Sequence, residues 1–215
     1  YGIGVDVNSG SGGDFSSNAV ITVMDLMTGE QVAEFASPET LPIDLAVIAM
    51  ELGEYFRFHG KPAKIIWENQ GPGVSFGKVL IEAGYRNMYE RLPKRNPNKA
   101  PDLYREKKPG FHTSRDSKQM ILSEFQRGLK EGRITIKSEA CVKEMCDYVM
   151  REGKIFHQAS DTKVADPSGA GANHGDRVMA AALVSLLAME GNNRDISQDR
   201  SAVGSRASML NPPSG

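Results

Sequence analysis

The sequence predicts an α/β domain built on a mixed sheet. Three features point there: a period-two opening segment, a hairpin signal directly after it, and helical and strand-like stretches that alternate from residue 41 onward. In the opening strand Ile3, Val5 and Val7 share one face, and Gly2, Gly4 and Asp6 share the other. A Gly/Ser-rich turn over residues 8–13 leads to strands at 19–26 and 31–35, joined through Met27-Thr28-Gly29-Glu30. That is a hairpin signal, so the first three strands are expected to be antiparallel.

The stretch 41–58 has apolar residues at 41, 45, 48, 52, 55 and 56, which is helical spacing with Pro42 tolerated in the first turn. Residues 64–67 read as a buried strand, 74–83 as a helix and 87–92 as a short strand. Prolines at 93, 97, 101 and 109 break every pattern over 93–113. Helical spacing returns at 114–129, followed by a strand at 133–137, a helix at 138–150 and a strand at 154–158. A Gly/Ser/Asp loop at 161–172 precedes the clearest helix, 178–189. The domain is expected to span 1–190, with 191–215 a polar, flexible tail.

The 215 residues, 40% apolar and 25% charged, are enough for one domain with a single core. A formal net charge of −1 advertises neither a globally basic nor an acidic, disordered chain. The two cysteines, Cys141 and Cys146, form neither a metal knuckle nor a secreted disulfide framework, and fit a reducing compartment. The apolar run 179–189 is too short for a bilayer span, and no membrane partner is expected. Tyr1 already lies within strand-like sequence, so the chain reads as a piece of a longer polypeptide. The charge is unevenly placed: residues 91–118 hold nine Lys or Arg against three acids, a net +6 that leaves −7 for the rest. A stiff basic loop of this kind suits a phosphate backbone, and equally a merely solvated surface.

Two phosphate and metal motifs fail on detail. Gly71-Pro-Gly-Val-Ser-Phe-Gly77-Lys78-Val79 follows a strand and opens a helix, but its spacing is one residue too long for a P-loop. Val79 also stands where a Ser or Thr is needed, so no ATP site is expected here. The segment Asp6 to Asp14 lacks the glycine and the distal glutamate of a calcium loop. His59, His112, His157 and His174 have no metal-ligand spacing.

Three acids do stand where acids are disfavoured. Asp6 interrupts a strand of Gly, Ile and Val, with Gly2 and Gly4 on its own face leaving room for something to approach. Glu68 ends the apolar strand Ile65-Ile66-Trp67, and Asp176 heads the last helix on the stripe of Met179, Ala180, Leu183 and Leu187. Singly, each reads as a turn, loop or capping acid. Together, two strand ends and a helix start can meet at one sheet edge, where clustered carboxylates call for a divalent cation. That pattern suggests a two-metal phosphodiester site.

The chain resembles the C-terminal nuclease domain of the large terminase subunit of tailed bacteriophages and related viruses, which has a ribonuclease H-like fold. The resemblance runs from Gly2 to about Met189. It rests on Gly4-Val-Asp6 with Gly-Gly-Asp14-Phe-Ser-Ser-Asn-Ala-Val, and on Ile-Ile-Trp-Glu68-Asn-Gln-Gly-Pro-Gly. Gly110-Phe-His-Thr113-Ser-Arg-Asp-Ser-Lys118, Leu129-Lys-Glu-Gly-Arg-Ile-Thr-Ile and Asn173-His-Gly-Asp176-Arg-Val-Met-Ala-Ala-Ala follow in the same order. One departure is that Gly175 stands where many relatives carry the first of two adjacent acids.

The resemblance implies a metal-dependent endonuclease that cleaves concatemeric viral double-stranded DNA during genome packaging. Asp6, Glu68 and Asp176 would be its catalytic, metal-binding acids, with Asp14 an auxiliary and His174 an aid to water or phosphate. Mg²⁺ or Mn²⁺ is the implied cofactor, as two ions when DNA is bound. Lys118 would contact phosphate, and Lys94, Arg95, Lys99, Arg105, Lys107 and Lys108 would hold the duplex. An upstream ATPase domain, the portal and the small terminase subunit are the implied partners. The implied location is the host cytoplasm, transiently at the procapsid portal. Another ribonuclease H-like nuclease of the resolvase or integrase type, and a non-catalytic DNA- or portal-binding domain, are the alternatives.

Overall fold

The computed structural model describes residues 1–11, 17–92, 106–158 and 175–189. Its central sheet has four strands: β1 (Gly2–Asp6), β2 (Ala19–Asp25), β3 (Glu30–Ser37) and β4 (Lys64–Trp67), in the order β3-β2-β1-β4. β1 is antiparallel to β2, which is antiparallel to β3, and β4 joins the other edge of β1 in parallel, Val5 opposite Trp67. The expected mixed sheet is therefore the observed one.

Helices cover both faces. Ile3, Val5, Ile21, Val23, Ile65 and Trp67 point to one side, where α1 (Pro42–Tyr55) and α2 (Pro72–Glu82) close over them with Leu45, Ala49, Phe76 and Leu80. The opposite face carries Met24 and Ile66 under α3 (Arg115–Lys130) and under α5 (residues 176–189). α5 is buried almost all round. A helix apolar on every side belongs inside a core, so the stripe below Asp176 does not by itself single out a functional face. Among the described residues no helix is long and apolar enough to cross a membrane.

The space beside Asp6 is not open, as the two small residues on its face had suggested. A Cβ on Gly4 would overlap the Ala180 carbonyl oxygen, and one on Gly2 would press on Leu26 and Val184. The glycines let α5 lie directly on β1, and the helix fills the room.

Three local expectations need correction. Residues 133–137 form no strand: Thr135 makes a single parallel bridge with Glu30. The ladder stops there because the Gln31 side-chain oxygen accepts the N–H of both Lys137 and Ser138 at 2.9 Å. The expected helix over 138–150 ends early, as α4 (Glu139–Cys146). It gives way to a hairpin of β7 (Tyr148–Arg151) and β8 (Lys154–His157), turned through Glu152 and Gly153, both with positive φ.

The third correction concerns 87–92, which shrinks to a bridge between Met88 and Ile65 and to β5 (Glu90–Arg91). β5 pairs antiparallel with β6 (Lys108–Pro109), inside the stretch expected to lack regular structure. The two ends of the basic segment are thus held together beside β4.

Candidate functional site

Strand parity decides where the acids go. Asp6 ends β1 on the same face as Gly2 and Gly4, the face that α5 covers. Glu68 follows Trp67 on the neighbouring parallel strand and shares the parity of Ile66, which also faces α5. Asp176 opens α5, which the two glycines admit so close to β1. Its Oδ2 accepts the Asn18 backbone N–H at 2.7 Å, tying the helix start to the entry of β2.

The electrostatics report that these groups feel one another. The Asp6 carboxyl is raised well above the usual carboxylate range, first by burial, then by the charges of Asp176 and Glu68. The Lys118 ammonium pulls the other way, and Glu144 adds to the rise. Lys118 is the fourth residue of α3 and half-buried, and its charge is close enough to act on Asp6.

Glu68 is placed by an unusually close strand-to-helix turn. Gly71 caps α2 with φ +50, and a Cβ on Gly73 would overlap the Glu68 carbonyl oxygen. Gly77 lies against the Trp67 ring, and the Trp67 Nε1–H donates to the Gly73 carbonyl at 3.0 Å. The glycines that resemble a P-loop here serve packing of a helix on a strand. On its other side Glu68 forms a parallel bridge with Phe111, flanked by Phe111 N–H to Trp67 O at 2.7 Å and Asn69 N–H to Phe111 O at 2.8 Å. That short ladder brings Ser114, the N-cap of α3, and hence Lys118 to the same sheet edge.

Behind Asp176 sits a buried ionic frame that sequence reasoning missed. The Glu144 carboxylate accepts the Arg177 N–H at 2.9 Å and the Val178 N–H at 3.4 Å, and pairs with the Arg177 guanidinium at 2.7 Å. Glu34 pairs with the Arg177 Nε at 3.2 Å and accepts the Ser138 hydroxyl at 2.8 Å. Glu144 and Arg177 are both 2% exposed. Burial raises the Glu144 carboxyl to about 7, against the pull of its Arg177 hydrogen bond.

Tyr148 was missed as well. Its hydroxyl donates to the Gly175 carbonyl at 3.3 Å, and burial, Glu144, Asp6 and Asp176 all push the phenol up, so it stays a proton donor. Gly175 has φ +80, and a Cβ there would overlap the Tyr148 hydroxyl. This accounts for a glycine, and no side chain, directly before Asp176.

Among the described residues no three His, Cys, Asp or Glu side chains stand close enough to enclose a metal ion. The donor set nonetheless fits a hard divalent cation, because Asp6, Glu68 and Asp176 offer carboxylate oxygens and the charges of Asp176 and Glu68 oppose the ionisation of Asp6. Of the other expected residues, Lys107 is exposed beside Glu90 at 3.8 Å and Lys108 is exposed in β6. Asp14, Lys94, Arg95, Lys99, Arg105, His174 and the 191–215 tail lie outside the described residues.

No family model matches the sequence, and no curated protein matches it. Solved structures do match the fold. The large terminase nuclease from thermophilic phage G20c superposes with a TM-score of 0.53 at 18% identity, covering 86% of this chain and 80% of that one. The cobalt-bound form of that nuclease gives 0.54 at 18% identity, covering 86% and 79%. The large terminase nuclease domain of Thermus phage P74-26 gives 0.50 at 16% identity, covering 85% and 76%. This chain therefore shares the mixed-sheet α/β fold of phage large terminase nuclease domains.

Proposed function

We propose that this chain is a divalent-metal-dependent endonuclease acting on double-stranded DNA, and that it cuts concatemeric viral DNA during genome packaging. The observation that carries the reading is the charge on Asp176 and Glu68 felt at Asp6, at one edge of a sheet shared with terminase nucleases. The G20c nuclease is known in magnesium-, cobalt- and zinc-bound forms, which supports a divalent ion here.

Asp6, Glu68 and Asp176 would hold Mg²⁺ or Mn²⁺, as two ions when DNA is bound, with Asp14 an added ligand. A bound cation supplies Lewis-acid activation of water and neutralisation of charge on the phosphate. The chain's own groups do the rest. Lys118 takes a phosphate oxygen of the strand to be cut while favouring the ionised form of Asp6. Glu144 and Arg177 hold the start of α5, and with it Asp176, in place. Lys94, Arg95, Lys99, Arg105, Lys107 and Lys108 grip the duplex through its phosphates without reading bases, so binding is salt-dependent and sequence-tolerant. His174 assists at water or phosphate. An ATPase domain of the same polypeptide, the portal and the small terminase subunit complete the assembly, in the host cytoplasm.

The test is nicking and linearisation of supercoiled plasmid with Mn²⁺, Mg²⁺ or EDTA, comparing wild type with Asp6→Ala. Metal-dependent cleavage that disappears in the variant is the expected result. Equal cleavage by both places the site elsewhere. No cleavage by either, with plasmid still shifted on a gel, makes the chain a non-catalytic DNA-binding domain.

A further inference from the structure

Lys64 meets Arg91 and Lys107 of the basic segment at a place away from the acids. Lys64 starts β4 opposite Gly2, at the far end of the strand from Glu68. Four residues at a strand rise of about 3.3 Å put the two roughly 13 Å apart. Next to it the chain runs parallel to β4, with the Tyr89 N–H donating to the Ile65 carbonyl at 2.8 Å. A cavity of about 370 Å³ opens there, walled by Lys64, Tyr89, Glu90, Arg91 and Lys107 among others.

Its charge is unbalanced. The wall holds three cations and one acid, Glu90, which stands 3.8 Å from Lys107 with both side chains largely exposed. The Lys64 ammonium lies 5.8 Å over the Tyr89 ring, which fixes it at the wall. The Arg91 Nε is buried and has no hydrogen-bond partner among the described residues. A buried guanidinium N–H without an acceptor is uncommon, and its planar fork matches the oxygens of a phosphate. Arg91 is also pinned, since β5 pairs with β6 through Arg91 and Lys108.

We propose that this cavity is a phosphate-binding subsite for the DNA backbone, with Arg91 and Lys64 taking the non-bridging oxygens of one phosphodiester and Lys107 extending the contact along the strand. The identity of the ligand rests on the nuclease reading. The subsite holds the duplex a few nucleotides from the acids, so that the scissile phosphate is located by a contact on rigid strands as well as by the rest of the basic segment.

The experiment measures binding of a short blunt duplex by fluorescence anisotropy in EDTA across a salt series. Wild type is compared with Lys64→Gln, Arg91→Gln, the double variant and Lys64→Arg, each checked for an unchanged melting temperature. The expected result is a salt dependence shallower by about 1 logarithmic unit for each Gln variant and about 2 for the double. Lys64→Arg should retain the wild-type slope. Wild-type affinity and slope in both Gln variants would overturn the subsite. So would protection of wild type by inorganic phosphate alone, at matched ionic strength, combined with unchanged duplex binding in the variants, since the cavity would then be a free-phosphate site. The two readings fail separately. Duplex binding that depends on these cations without any plasmid cleavage sinks the nuclease and keeps the subsite. Plasmid cleavage with unaltered binding by the variants does the reverse.

Discussion

The Glu144 carboxylate caps the helix that begins at Asp176 by accepting the Arg177 N–H at 2.9 Å while pairing with the Arg177 guanidinium at 2.7 Å. One residue of α4 therefore satisfies both the backbone and the side chain at the start of α5. Glu144→Ala would leave Arg177 buried with Glu34 alone and remove the cap. Breaking one half of a buried pair costs about 3–5 kcal/mol, so equilibrium unfolding in urea should show a loss of that order. Glu144→Gln, which can still accept the two N–H groups, should lose less.

The charge frame also sets a pH dependence. In the unfolded chain the Glu144 carboxyl titrates near its ordinary value of 4.5, whereas in the fold burial raises it to about 7. The folded state therefore holds this proton over that interval while the unfolded state does not. Its contribution to stability is full below about 4.5 and is lost as the pH rises to about 7. Asp6, raised for the same reason and by its acidic neighbours, acts with the same sign. Thermal melts should fall across this window without metal, and Glu144→Gln should flatten the fall.

Asp6→Asn separates stability from activity. Removing one charge from the acid edge relieves repulsion from Asp176 and Glu68. The variant should be more stable at neutral pH without metal, by on the order of 1 kcal/mol, while losing metal-dependent cleavage and the stabilisation that added Mn²⁺ gives wild type. A lower melting temperature for Asp6→Asn at neutral pH would show that burial alone raises the Asp6 carboxyl and that repulsion at this edge adds nothing.

Much of this was legible in the sequence, for identifiable reasons. Parity and composition marked β1, β2 and β4, and the three acids stood out because Asp6 interrupts an apolar strand, Glu68 directly ends one, and Asp176 heads a helix on its apolar stripe. What Gly2 and Gly4 were for was not legible, since only tertiary structure shows α5 lying on them. The strand at 154–158 was legible as β8, but its partner β7 was hidden because Cys141, Met145, Tyr148 and Val149 continue a helical spacing. The Glu152-Gly153 turn, with both residues at positive φ, was the available signal. Glu34, Glu144 and Arg177 were invisible for a different reason. They come from β3, α4 and α5, and a long-range ion pair leaves no local pattern.

Gly175 is sterically and conformationally required. Its φ of +80 disfavours any side chain, and the Tyr148 hydroxyl occupies the place of a Cβ. Gly175→Ala should cost about 1–3 kcal/mol, the usual penalty for a non-glycine residue held in this region. Tyr148→Ala should relieve only the steric part. A double-mutant cycle is then expected to show a coupling of roughly 0.5–3 kcal/mol between the two positions. Additive losses would mean that backbone conformation alone selects the glycine.

Lys118 faces the acids from α3, and its two roles predict opposite responses. As a positive charge beside Asp6 it favours the carboxylate but repels an incoming cation; as a phosphate contact it attracts DNA. Lys118→Met should weaken duplex binding in EDTA and make its salt dependence shallower by about 1 logarithmic unit. Calorimetric titration of Mn²⁺ into the DNA-free variant at a pH above the Asp6 titration should show binding at least as tight as wild type, because a like charge has been removed. If duplex binding is unchanged, and Mn²⁺ binding weakens only when the pH is brought down into the Asp6 titration, Lys118 serves to keep Asp6 ionised and does not hold the phosphate. The test separates these because the first measurement contains no metal and the second contains no DNA.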